Sequence, residues 1–541
     1  GKKKEEYPFL DLEHPITVGS YMNEPDLINN RYQLHLAMEE ADRLLPQLFA
    51  AYKELSGREY QKVEGQGCEE AEAVLVLLGS SYDTAIEAVE EMRREGKKAG
   101  TATLHVLRPF PAKELGQLLG KAKNILVADR QDSYGAGGGN LSLEVRAALQ
   151  KAGKAANIKS LVYGLGGKDF FKEDAKDMIA WADNPAKPDF AYYGVTKGEG
   201  TVSPVPGAQT MVDEPLFAPI KREDTAISAK ANLNAVTAMP GRIAPGHGAC
   251  PGCGIPVNLN LLLRGIEDPV VFLFQTGCAM IVTTAYPRTS FRVPYLHNLF
   301  QNGAATLSGV AEVCYRKQAK GEIPPGDIIF VMVSGDGGMD IGMGSALGTA
   351  LRGHRLLIFE YDNGGYMNTG YQLSYSTPLG ARSSTSHIGS KQYGKTFFHK
   401  DMPRIMEATG IPYVATVAES NPVDFMKKAA KAAHYAKTTG TAYVKAISAC
   451  PLNWNDKPAT ERKVIEAAVN SCYFPLYEVE QGVTTLSYDP ERAGKKIPIL
   501  DWLSMMGRTK HLQKEEYRDV VERLQQETDR RFAELKRRAE K

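Results

Sequence analysis

Apolar and polar positions fall into blocks along this chain, and their period changes from block to block. Residues 31–56, RYQLHLAMEEADRLLPQLFAAYKELS, carry apolar side chains at helical spacing and predict an amphipathic helix. Short apolar runs follow. Ala73–Leu78 ends at Gly79, and Ser80–Thr84 is placed to cap a helix reaching Arg94. Thr103–Leu107 and Asn124–Asp129 repeat the pattern. Continuous apolar runs of this length mark strands covered on both faces. Their alternation with helices predicts an α/β sheet with crossover connections. Asn124–Asp129 enters the Gly-rich run Tyr134–Gly139. No charged pattern accompanies those glycines, so a turn at a strand end is the expectation there.

Residues 183–243 break the pattern, being rich in Pro, Gly, Thr and Ala with little periodicity; they read as a long connector. Strand-like runs resume at 270–275, 328–334, 356–362, 413–417 and 442–448, with helical stretches between, which predicts a second doubly wound α/β unit. In the charged tail, Tyr517, Val520, Val521, Leu524, Phe532 and Leu535 recur at helical spacing. That stripe predicts a helix packed on the body or on a neighbouring subunit. The expected division is therefore 1–182, a connector 183–243, a second domain 244–510 and a C-terminal helix 511–541.

Composition narrows the class. The 541 residues exceed one ordinary core, so two domains are expected. With 43% hydrophobic and 24% charged residues the chain reads as globular and soluble. A net charge of +1 gives no reason to expect a nucleic-acid partner. No apolar run is long enough to span a bilayer. The start, GKKKEEYPFLDLEHP, has no apolar segment of the secretory kind and no initiator Met, so the chain reads as processed or as part of something longer. Seven cysteines are too few and too uneven for a disulfide framework, which favours a cytoplasmic protein with some thiols on metal. Cys68, Cys314 and Cys472 match no ligand pattern and are expected to be ordinary thiols.

Two motifs carry candidate chemistry. Gly335-Asp336-Gly337-Gly338 follows directly on a predicted strand, with a helix expected from about Ile341. Glycines there let backbone N–H groups approach a phosphate, and a helix N-terminus favours its charge. A diphosphate needs a divalent metal, and Mg²⁺ prefers oxygen ligands. Asp336 offers a carboxylate; Asn363, at the end of the next strand, offers a side-chain oxygen; Gly365 offers a carbonyl. A lone GDG often marks a plain turn, but GDG, helix, and a strand ending in Asp-Asn is the spacing of thiamin diphosphate (TPP) enzymes. The second motif is cysteine. Cys250 and Cys253 stand in GHGACPGCG, Cys278 in TGC and Cys450 in SACP. A C-x-x-C pair alone reads as zinc, a redox dithiol or an iron–sulfur cluster. One pair plus two singles is unlike the paired knuckles of a four-cysteine zinc site, and a 4Fe-4S cluster accepts thiolates distant in sequence. A one-electron acceptor beside TPP would have work to do, whereas an inert zinc would not. His247 could face a cluster or substrate, but a local backbone hydrogen bond is the expected role.

These runs resemble a known family. Residues 244–480, through GHGACPGCG, TGC, AYPRTSFRVPYLHNLFQNGAA, SGDGGMDIG, YDNGGYMNTG and SACPLNW, resemble the TPP-binding β subunit of pyruvate:ferredoxin oxidoreductases. Residues 8–182, through HPITVGS, RYQLHLAMEEA, VLLGSSYDTA, LRPFP, DRQDSYGAGGGNL and YGLGGKD, resemble the part of the α subunit that follows its pyrimidine-binding domain. The resemblance implies two transketolase-like α/β domains. It implies TPP-dependent oxidative decarboxylation of a 2-oxoacid to an acyl-CoA and CO₂, with single electrons passing to a 4Fe-4S cluster and on to ferredoxin, possible in reverse. By resemblance, Cys250, Cys253, Cys278 and Cys450 hold the cluster, and Asp336, Asn363 and the Gly365 carbonyl hold Mg²⁺. Gly335, Gly337 and Gly338 line the diphosphate, Gly277 packs near the thiazolium, and Asn368 faces the substrate carboxyl or the thiazolium region. A turn-forming asparagine is the plain alternative for Asn368.

The family's pyrimidine-binding domain, its γ domain and its ferredoxin-like domain are not recognised in the sequence, so other subunits or upstream sequence are expected to supply them. Pyruvate is the favoured substrate. Aryl or branched-chain 2-oxoacids and oxalate stay open, and 2-oxoglutarate is disfavoured because that branch lacks an equivalent of Cys450. A non-oxidative TPP enzyme and a zinc-bearing scaffold subunit are the readings from other classes.

Overall fold

The computed structural model describes residues 24, 26–195, 209–210, 241–244, 246–284 and 288–540. His14–Ser20, most of the expected connector and Ala285–Pro287 lie outside the described residues. The chain divides into two compact units, Gly1–Val202 and Ser203–Lys541.

The first unit opens with a helix over Asp26–Ser56, five residues longer at its start than the apolar spacing indicates, and none of its residues is buried. Strands β1 (Val63–Gln66), β2 (Ala73–Val76), β3 (Ala99–Leu104), β4 (Asn124–Asp129), β5 (Asn157–Val162) and β6 (Phe190–Tyr192) build one sheet in the order β1-β3-β2-β4-β5-β6. Only β1 runs antiparallel to its neighbour; the others pair in parallel. The helix Ser81–Arg94 buries Tyr82, Ala85, Ala88, Val89 and Met92, a stripe at i, i+3 and i+4 spacing. Two features differ from the expectation. The second parallel strand is Ala99–Leu104 rather than 103–107, because its sequence AGTATL is wholly buried with little large apolar signal. Residues 190–192, within the stretch read as connector, pair with β5 as the sheet's last strand.

The second unit has strands β7 (Gln209–Thr210), β8 (Val270–Gln275), β9 (Arg288–Thr289), β10 (Tyr295–Asn298), β11 (Ile329–Gly335), β12 (Leu357–Asp362), β13 (Ile388–Gly389), β14 (Gln392–Tyr393), β15 (Tyr413–Ala418), β16 (Ala442–Ile447), β17 (Leu476–Glu480) and β18 (Val483–Tyr488). Eight of them form the main sheet, ordered β10-β8-β11-β12-β16-β15-β17-β18. Its first six strands are parallel, and β17 and β18 add an antiparallel hairpin at one edge. The five apolar runs read from the sequence are β8, β11, β12, β15 and β16. The hairpin has no clear signal in the sequence: its strands are half-polar, and no Gly-rich run marks them. After two short turns the C-terminal helix spans Arg518–Ala539 and buries Val520, Leu524, Thr528, Phe532 and Leu535. It packs on the body of its own unit, where Arg404 pairs with Glu534 at 2.9 Å.

Candidate active site

The chain leaves β8 toward β10 on one side, and β11 then joins β8 on the other. Strand order therefore reverses between β8 and β11, and in open α/β sheets ligands bind in the crevice at the carboxyl ends of such strands. A cleft of about 460 Å³ lies there. It is lined after β8 by Thr276, Gly277 and Cys278, after β11 by Gly335, Asp336, Gly337 and Gly338, and after β12 by Asn363, Gly365 and Asn368. Every residue expected at the diphosphate, the thiazolium and the substrate thus faces one cleft. The fourth strand in this row, β16, leads into Cys450.

The helix after β11 spans Asp336–Leu351, beginning at the motif itself and five residues before the expected Ile341. Asp336 thereby stands in its first turn. No side chain caps the N-terminus, which leaves the first N–H groups for an anion. A Cβ at Gly337 would come within 2.6 Å of the Tyr366 ring, and one at Gly338 within 2.5 Å of Ser334 Oγ. Glycine is demanded at both positions by close packing.

Asp336 is fully buried. Its Oδ2 accepts from Gly365 N at 2.9 Å and from Ser374 Oγ, and its Oδ1 accepts from Asn363 N at 3.4 Å. The Asn363 side-chain oxygen lies 3.0 Å from Asp336 Oδ1 and 3.1 Å from the Gly365 carbonyl oxygen. Three acceptors thus converge with no donor between them. Mg²⁺ binds oxygen at about 2.0–2.1 Å, so adjacent ligands of an octahedron stand about 2.9 Å apart. The oxygen-inward amide suits one face of such an octahedron; turned over, the amide would donate to both neighbours and satisfy a metal-free site. The donor set therefore fits a hard divalent cation. Burial, and next the charge of Asp362, push the Asp336 carboxyl up to about 8, with Lys400 and Ser374 opposing. A bound cation would supply the missing positive charge.

Behind this carboxylate lies a charged layer that no sequence pattern announced. Lys400 Nζ donates to the Asp336 main-chain oxygen at 2.8 Å and pairs with Asp340. Lys445 pairs with Asp362 at 2.7 Å and Glu360 at 3.4 Å. Burial opposes the charge on Lys445, but Asp362 and Glu360 outweigh it and hold the ammonium above its ordinary range. Trp454 Nε1 donates to the Asn363 carbonyl at 2.7 Å. Asn368 lies exposed in the turn after Asn363.

The four expected cluster ligands come from three segments. Cys250 and Cys253 sit in the loop that starts the helix Gly254–Gly265, Cys278 begins the helix Cys278–Thr283, and Cys450 precedes the short helix Pro451–Trp454. Gly254 N donates to the Ala449 carbonyl at 3.1 Å, which ties the paired-cysteine loop to the Cys450 turn. A Cβ at Gly254 would stand 2.8 Å from Ala449 N, so only glycine permits that approach. Burial first, and then neighbouring thiols, push Cys253 and Cys450 up to about 11 and Cys278 up to about 12. Thiols that raise one another in a half-buried place need a cationic centre before all can ionise. Asp336 also raises Cys278, so the two sites lie within each other's field. Among the described residues no group of three or more His, Cys, Asp or Glu that could hold a metal ion is found. His247 Nδ1 accepts from Ala249 N at 3.4 Å, a local bond as expected. Cys68 and Cys472 are buried free thiols, and Cys314 is partly exposed.

The fold and the cleft define a TPP-type α/β enzyme. Residues 275–446 match the family model for the C-terminal TPP-binding domain of thiamine pyrophosphate enzymes, and residues 71–175 match that for pyruvate:ferredoxin oxidoreductase core domain II. The chain is 40% identical over 288 residues to the pyruvate synthase subunit PorB of Methanocaldococcus jannaschii, covering 53% of this chain and 93% of that protein. It is 38% identical over 300 residues to PorB of Thermotoga maritima, covering 54% and 90%. It is 32% identical over 299 residues to the ketoisovalerate oxidoreductase subunit VorB of Pyrococcus abyssi, covering 54% and 92%. The chain belongs to the pyruvate:ferredoxin oxidoreductase family, and is an oxidoreductase subunit of a multi-subunit enzyme.

Proposed function

We propose that this chain is the diphosphate-holding and cluster-bearing subunit of a 2-oxoacid:ferredoxin oxidoreductase, with pyruvate as its substrate. The overall reaction joins pyruvate and CoA to give acetyl-CoA, CO₂ and a proton, while two one-electron acceptors of the ferredoxin kind are reduced. When bound, TPP supplies the electron sink for decarboxylation, and a 4Fe-4S cluster supplies a one-electron acceptor. The chain's own residues hold these groups. Asp336, Asn363 and the Gly365 carbonyl take Mg²⁺, and Gly335, Gly337, Gly338 and the free N–H groups after them take the diphosphate. Cys250, Cys253, Cys278 and Cys450 take the cluster. Gly277 keeps the floor of the cleft open, and Asn368, at its rim, orients the substrate carboxylate.

One observation carries this reading: the three-oxygen face after β11 and β12 stands beside Cys278 after β8, and Cys450, Cys253, Cys250 and Asp336 all act on that one thiol. A non-oxidative TPP enzyme would have no use for the thiols. Partner chains, or sequence upstream of Gly1, would supply the pyrimidine-binding half, the γ domain and the ferredoxin-like domain. The sparse cysteines support a cytoplasmic setting, and no described helix is long and apolar enough to cross a membrane.

The test is anaerobic, CoA-dependent reduction of a viologen dye by the purified complex. Pyruvate, 2-oxoisovalerate, phenylglyoxylate and 2-oxoglutarate would each be offered, and oxalate with and without CoA. Reduction with pyruvate is expected. Reduction by another acid alone would move the substrate, and none at all in a complex that holds iron and TPP would sink the oxidoreductase chemistry.

A further inference from the structure

Arg508 is a buried cation that makes no ion pair among the described residues. Only 6% of the residue is exposed. Its Nη1 donates to the Gly364 carbonyl at 3.0 Å, and its guanidinium lies 4.6 Å from the centroid of the Trp454 ring. Its Nε has no hydrogen-bond partner. The buried Lys428 and Lys445 each pair with a carboxylate, and the buried Lys395 and Lys159 ammonium groups are each held by two or three carbonyls, whereas the Arg508 guanidinium has one carbonyl and an unpartnered Nε. Asp456 lies within its field without forming an ion pair with it.

A buried charge left unpaired is costly, so a compensating anion is called for. The position says which one. Arg508 N donates to the Trp454 carbonyl at 3.2 Å, and Trp454 N donates to the Cys450 carbonyl at 2.8 Å. The Cys450 thiol and the guanidinium lie within each other's field, and Asp362 and Asp336 act on the guanidinium as well. On the other side, Arg508 and Trp454 grip the Gly364 and Asn363 carbonyls, in the loop assigned to Mg²⁺.

We infer that Arg508 is the fixed counter-charge of the cluster held by Cys250, Cys253, Cys278 and Cys450, placed so that it also braces the metal loop. The inference rests on the cluster assignment above. A 4Fe-4S centre on four thiolates is anionic and gains a further negative charge on reduction. A nearby fixed cation favours the reduced form and raises the midpoint potential.

The experiment uses the intact complex, purified anaerobically, with Arg508→Gln and Arg508→Lys. Iron content, TPP content and an EPR-monitored redox titration of the cluster are read for each. The glutamine variant is expected to keep its iron and titrate at a more negative potential, with the lysine variant near the wild type. Loss of the cluster in the glutamine variant alone would equally mark a need for the charge. Equal potentials in all three, shifts of the same size in both variants, or loss of the cluster in both would overturn the inference and leave Arg508 a packing residue. A wild-type complex with no iron–sulfur signal would instead overturn the cluster assignment itself.

Discussion

A carboxyl buried as deeply as Asp336 must choose between a proton and a cation. Without metal it is pushed up to about 8 from an ordinary value of 3.8, by burial first and by Asp362 next. Between those values the folded protein holds a proton that the unfolded chain has released. Metal-free stability should therefore fall as pH rises through that window. Mg²⁺ must displace the same proton. Its affinity, read through Mg²⁺-dependent TPP binding, should rise about tenfold per pH unit below about 8 and level off above it. A flat profile from pH 6 to 8 would mean that Asp336 enters the site already ionised. Lys400 works one step behind. It holds the Asp336 main-chain oxygen and Asp340 without reaching the three-oxygen face. Lys400→Met should weaken Mg²⁺-dependent TPP binding by about 10–100-fold, the usual effect of losing a supporting partner of a metal ligand. Iron content should not change. Calorimetric titration with TPP in excess Mg²⁺ measures the first, and iron analysis the second.

At the scale of elements, legibility followed chemistry. The parallel strands β8, β11, β12, β15 and β16 were visible because a strand covered on both faces must be apolar throughout. Asp336 and Asn363 were visible because glycines and a carboxamide at strand ends have few other uses together. The charged layer was not: Lys400 and Lys445 look like surface lysines in the sequence, and only the sheet brings them against Asp340, Glu360 and Asp362. Arg508 follows the same logic, since nothing near it in sequence marks it as buried. The edge hairpin β17–β18 was missed because its faces differ and neither is strongly apolar. The C-terminal helix was read from its stripe alone, and its burial makes that stripe testable. Leu524 is fully buried within the core that also holds Trp454 and Trp502. Leu524→Ala should destabilise the second unit by about 2–5 kcal/mol. Denaturant unfolding followed by tryptophan fluorescence would report it, because two of the chain's three tryptophans lie in this core. A change below about 0.5 kcal/mol, the range of a surface substitution, would place the helix outside the cooperative core.

At the scale of the molecule, the cleft between β8 and β11 brings together the residues proposed for the diphosphate and the metal, with Cys278 beside them, and it does so with parts of one sheet. On the proposed reading, the described residues offer oxygens and N–H groups to an anionic, metal-bound head. The aminopyrimidine end of TPP needs an acid to activate it, which the family resemblance places on another domain. Binding and turnover should therefore separate. The chain purified by itself, with iron reconstituted anaerobically, should show a cluster signal and Mg²⁺-dependent affinity for TPP. It should reduce no viologen with pyruvate and CoA. Adding the copurifying subunits should restore reduction, and TPP should then bind more tightly, since both ends of the cofactor would be held and each new contact slows its release. Turnover by the chain alone, at a rate comparable to that of the complex, would mean that an activating acid lies within these 541 residues. The carboxylates around the cleft would then have to be tested one by one. Absence of TPP binding with the cluster in place would say instead that the three-oxygen face closes on Mg²⁺ only after a partner docks, and would make the metal site a property of the assembly.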